Sequence, residues 1–148
     1  PLSEHDAVTP WTFSSEGLWV NVTRAGLLLT PEYVGLFRPD TLIGRMDFRP
    51  DGATSPDPNK STRNWLMLMN GMQGFLASLA DERDKQPPDY LVGTTNKIMA
   101  LATRRLGFEV QRRDGDFLVV GSVPKVIKKV EETIGKKTLL ERRLGIHS

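Results

Sequence analysis

Pro87 and Pro88 constrain this chain more than any other adjacent pair. Neither has a backbone N–H, and each disfavours helix in the residue before it, so no helix or central strand runs through them. Whatever precedes them stops there, and whatever follows starts afresh. On the amino-terminal side, Trp65, Leu68, Met72, Phe75 and Leu79 recur at alternating spacings of three and four, which predicts a helix over 63–85. Ser61 or Thr62 is placed to cap it. Gly71 and Gly74 each oppose it by about 1 kcal/mol relative to Ala, and a competing parse makes 65–69 a buried strand.

On the carboxyl-terminal side the pattern is strand, helix, hairpin. Residues 90–93 read as a short buried strand, and Thr94 or Thr95 is placed to cap a helix over 96–106 that Gly107 stops. Two β-rich runs, 108–112 and 116–120, flank Asp114-Gly115, whose residues both tolerate positive φ, a strong hairpin signal. Ser122 and Pro124 then open a helix ending at Gly135, and a short last helix is expected over 136–144.

Before the long helix the signals are those of strands. Residues 18–23 are β-branched and aromatic, 27–29 and 33–37 are candidate continuations, and 41–48 reads as another strand. Together they form an antiparallel meander. Residues 1–16 are polar and read as an arm, and 50–62 is a long breaker-rich loop with three prolines. Trp11, Trp19 and Trp65 are expected in the core. The whole is an α/β (α+β) domain over 17–148, with a central mixed, largely antiparallel sheet flanked by helices. The first residue is Pro rather than Met, so the start is expected to be processed, trimmed or cut from a longer protein.

Composition closes several routes. The 148 residues contain no Cys, which removes disulfides and thiolate chemistry, and only His5 and His147, near opposite ends. No metal site is expected. No apolar run approaches the roughly 20 residues a bilayer needs, so no membrane partner is expected and the cytoplasm is the simplest location. Residues 1–60 hold five basic and eight acidic side chains and the remainder fifteen and ten, so the second half is positive. Such a half attracts anions.

The run 96–110, an Asn opening a helix that closes on Gly107-Phe108 before a hairpin, resembles the penultimate-helix signature of the GCN5-related N-acetyltransferases. The resemblance covers about 60–121. It implies a GNAT-like fold, acetyl-CoA or another acyl-CoA as cosubstrate, and an unidentified amine as acceptor. The helix over 63–85 then matches the family helix whose start faces the CoA diphosphate. Lys60, Ser61, Thr62, Arg63 and Asn64 would supply cations and hydrogen bonds there, beside backbone amides at the positive end of the helix dipole. Asn96 would reach the cofactor or simply cap its helix. Asp47 is the candidate general base, with Glu32 second. Thr103 stands where many members carry a tyrosine acid, and its hydroxyl is weaker and shorter. Tyr33 and Tyr90 are acids only if the fold brings them to the site. The family's glycine-containing loop is matched at one position of three, by Gly71.

Two rival functions follow. One is a catalytically silent module of the same fold, serving a binding or regulatory role in a longer chain; with either activity a homodimer is a possible assembly. The other is nucleic-acid binding through Lys125, Lys128, Lys129, Lys136, Lys137, Arg142 and Arg143. Glu131, Glu132 and Glu141 interleave with these and no nucleic-acid motif accompanies them, so nucleic acid is the weakest expectation.

Overall fold

The computed structural model describes residues 10–27, 35–49, 58–82 and 84–143; the side chains of 58–64 and 134–143 lie outside that description. The described residues form an α+β fold of six strands and three helices. In chain order these are β1 (Trp11–Ser15), β2 (Leu18–Arg24), β3 (Leu42–Phe48), α1 (Pro58–Asp81), β4 (Tyr90–Thr95), α2 (Lys97–Arg105), β5 (Glu109–Arg113), β6 (Asp116–Ser122) and α3 (Val123–Arg143). The sheet runs β1-β2-β3-β4-β6-β5. Every neighbouring pair is antiparallel except β3 and β4, which α1 joins as a parallel crossover.

Alternation along each strand sends side chains to two different faces. Leu18, Val20, Val22, Leu91 and Val119 point to one face and meet the apolar stripes of all three helices. Met69, Met72 and Phe75 of α1, Ala100 of α2 and Val126 of α3 belong to this core. The opposite face holds a smaller cluster, Ile43, Val92 and Leu118, against which Ala25 and Phe37 pack. Among the described residues the fold is therefore one helical layer on one sheet.

Turn chemistry fixes the registers. Glu16 and Gly17 close the β1–β2 hairpin, both at positive φ (52° and 79°), the pattern of a type I′ turn. At the second hairpin only Gly115 has positive φ (78°), so Asp114 does not use the freedom its side chain allows. Gly107 (φ 89°) ends α2 in a Schellman motif, with Phe108 N–H donating to Thr103 C=O and Gly107 N–H to Arg104 C=O.

Several expectations are corrected. Residues 11–15 are a strand rather than part of an arm, because Trp11 and Phe13 face the core, where Trp11 stacks on Phe75 and Phe13 meets the same ring tilted. α1 is a helix throughout 65–69, so the competing strand fails. It begins at Pro58, where a residue lacking N–H costs nothing, and Ser61 and Thr62 lie inside it rather than capping it. It ends at Asp81, short of 85. Gly71 is tolerated because its missing Cβ would lie 2.8 Å from Leu18 Cβ, so the helix sits close on the β1–β2 hairpin. Thr94 and Thr95 belong to β4, and Asn96 caps α2 instead. α3 continues through Gly135 to Arg143 as one helix, since a single glycine among strong helix formers costs only about 1 kcal/mol. Ala25–Leu27 is a 3-10 turn and 35–37 is turn and bend; residues 28–34, with Glu32 and Tyr33, and 50–57 lie outside the described residues. Trp19 is 47% exposed, on the helix-free face, whereas Trp11 and Trp65 pack against the core.

Candidate functional site

The parallel pair does not stay paired. β3 and β4 share three positions, Ile43 with Tyr90, Gly44 with Leu91 and Arg45 with Val92, and then separate. Each keeps its other neighbour for three residues more: β3 pairs with β2 to Phe48, and β4 with β6 to Thr95. Met46 to Phe48 and Gly93 to Thr95 therefore border a gap opening toward the carboxyl ends of both strands. Gly93 stands at its apex, where a Cβ would lie 3.3 Å from the Met46 carbonyl oxygen. The starts of α1 and α2 lie at the same end of the sheet, because α2 starts at Lys97 just after β4 ends at Thr95, and α1 is the crossover that leaves β3 and returns to the parallel β4.

The gap encloses a cavity of about 60 Å³, with Leu68 of α1 and Met99 of α2 among its walls. That is room for one or two water-sized groups. Asp47 and Thr103 both line it, so the structure brings the two candidate catalytic residues to one opening. They reach it from opposite sides. Asp47 pairs across the ladder with Trp19 and, by alternation, shares the helix-free face with Arg45. Its Oδ2 is 2.8 Å from Arg49 Nε, and the Asp47 side chain is 43% exposed. Thr103 is buried beneath α2, and its hydroxyl donates to Ala100 C=O at 2.9 Å. That proton is already committed inside the helix.

Asn96 does the local work its position offers: Oδ1 accepts from Met99 N–H at 2.9 Å, and the backbone is extended, as an N-cap requires. The five positions Lys60, Ser61, Thr62, Arg63 and Asn64 lie within the first two turns of α1. With the helix starting at Pro58, the unpaired amides of its first turn fall at Asn59 and Lys60 rather than along 60–64. Thr94 and Thr95 were read from sequence only as caps, and they line the opening instead. Nothing in the sequence distinguishes a strand-end threonine from a capping one here, since both types suit either position. Tyr90 lies on β4 before the gap begins and stacks tilted on Phe37, 5.2 Å between centroids.

A cleft of about 1160 Å³ lies at the other end of these strands, between α1 and α3, and its described lining includes none of Asp47, Asn96 and Thr103. Among the described residues, no group of three His, Cys, Asp or Glu could hold a metal ion. No described helix is long and apolar enough to cross a membrane. No family model matches this chain, and neither does a curated protein or a solved structure.

Proposed function

We propose that this domain is a divergent GCN5-related acyltransferase that receives the thioester arm of an acyl-CoA between β3 and β4 and passes the acyl group to an amine. The observation that carries the reading is the parting of a parallel pair at its carboxyl ends. Open α/β sheets bind ligands in the crevice outside the carboxyl ends of their strands. Backbone groups of 46–48 and 93–95 that face the gap have no partner strand among the described residues, and they suit an extended arm carrying amides, as pantetheine does, in the manner of strand addition. The start of α1, at the same end, suits the diphosphate.

In the reaction an amine approaches from the helix-free face, where Asp47 is open to solvent. Its nitrogen attacks the thioester carbonyl, the C–N bond forms, Asp47 takes the ammonium proton, and the C–S bond breaks. The departing thiolate takes a proton from water and Asp47 returns its own to solvent, which restores both, since the Thr103 hydroxyl is occupied in donating a hydrogen bond to Ala100 C=O. The 60 Å³ cavity accommodates only the acyl end; the rest of the arm lies along the strand edges.

A second reading, a silent CoA-binding module, is favoured by that committed Thr103 proton and by the Arg49 partner on Asp47. Calorimetry with acetyl-CoA and CoA at two salt concentrations, followed by assay of transfer to a panel of amines, tests both. Binding with transfer supports the enzyme, and binding without transfer the module. Absence of binding at millimolar ligand overturns both. Arg63→Glu places an anion by the helix start and is expected to weaken binding.

A further inference from the structure

We infer that the cleft between α1 and α3 is a second ligand site, for a small organic cation with an apolar body. The inference does not depend on the acyl-CoA reading. Tyr90 lines this cleft at the start of β4, whereas the gap begins at Gly93, on the order of 10 Å further along the strand.

The cleft, about 1160 Å³, is large enough for a drug-sized ligand and has the walls of such a site. Leu76 and Leu79 of α1 face Ile127 and Val130 of α3 across it, and Pro88 closes the floor. Gln73, Thr41, Tyr90 and Ser122 add a few polar groups able to accept a hydrogen bond. Among the described residues its charge has one sign: Asp89 and Glu131 are the charged lining residues, and no described Lys or Arg joins them, although the surrounding half of the chain is basic.

The helix termini agree with that sign. A helix start ordinarily favours an anion, and α3 begins here. Its first turn has little to offer one: Val123 N–H is taken by Asp89 C=O at 3.0 Å and Pro124 has no N–H, which leaves the Lys125 amide alone. The carboxyl-terminal end of α1, the negative end of its dipole, borders the same cleft at Leu79 and Ala80. Apolar walls therefore select for a hydrocarbon body, and the rim selects for an ammonium head over a carboxylate of equal length.

The test is an NMR titration of the ¹⁵N-labelled chain with octylammonium and with octanoate. The account expects octylammonium to shift the amides of Leu76, Leu79, Ile127 and Val130, with octanoate much weaker. Asp89→Asn and Glu131→Gln, both at exposed positions, should each weaken octylammonium binding by about two- to fivefold, the worth of an exposed ion pair. Ala80→Trp, which fills the cleft from an exposed helix position, should abolish it. Equal binding of the two probes, shifts confined to other residues, or full binding by Ala80→Trp would overturn the assignment.

Discussion

Gly71 and Leu18 pack so closely that a methyl group on the helix residue would lie 2.8 Å from the strand residue's Cβ and 3.1 Å from Ser15 C=O. Alanine here gains about 1 kcal/mol of helix propensity but must push α1 off the β1–β2 hairpin, an overpacking cost of about 1–3 kcal/mol. Gly71→Ala is therefore expected to lose up to about 2 kcal/mol. Gly74, three residues on, meets nothing tighter than the tip of Phe13 at 3.3 Å, with Ser15 Oγ at an ordinary 3.5 Å. Gly74→Ala should be neutral or up to about 1 kcal/mol more stable. Urea unfolding of the two variants checks the contrast.

Glu16 holds a left-handed conformation that an L side chain adopts at a cost of about 1–2 kcal/mol. Asn tolerates that conformation and is preferred in type I′ turns. Glu16→Asn should raise stability by about 0.5–1 kcal/mol, read as a higher urea midpoint at unchanged slope. No gain would mean that the turn is of another type.

Asn96 caps α2 through its Oδ1. Asn96→Ala should cost about 1 kcal/mol, whereas Asn96→Ser keeps a capping oxygen and most of the stability. Acetyl-CoA affinity, measured by calorimetry on Asn96→Ser, should match that of the parent chain. A loss of affinity at retained stability would give the Asn96 amide a direct role in binding.

Glu82 is held below its ordinary 4.5 chiefly by the hydrogen bond from Lys85, whose Nζ is 2.6 Å from Oε2. A carboxylate with a lowered folded value contributes stability that is complete above the unfolded value and fades as pH falls through the folded one. The contribution is thus present above about pH 4.5 and lost below it. Lys85→Gln should flatten the acid limb of a stability–pH curve. The same change removes a cation 5.0 Å from the centroid of the Trp11 ring, so the loss at neutral pH should exceed that of Glu82→Gln.

Much of the carboxyl-terminal fold was legible because its signals are local. Gly107 needs positive φ, Asp114-Gly115 makes a two-residue turn, and the α1 stripe at 65–79 buries the residues its period selects. The edges of the fold were not legible, because their causes are distant in sequence. β1 is a strand because Trp11 and Phe13 find Phe75 across the core, a contact spanning some 60 residues. The same holds for the candidate site. Asp47 and Thr103 could be picked by residue type, but their position on opposite sides of one opening depends on where β3 and β4 stop pairing. Where a parallel pair parts depends on contacts distant in sequence, such as the close approach of Gly93 to Met46 C=O, and no local motif announces it.

The most direct test is a two-dimensional NMR titration of the ¹⁵N-labelled chain with acetyl-CoA. If the thioester arm enters where β3 and β4 part, amides of Met46, Asp47, Phe48, Gly93, Thr94 and Thr95 should shift together with Asn59 and Lys60, while those of Leu79 and Val130 stay fixed. A saturating titration that leaves 46–48 and 93–95 unmoved would contradict the account.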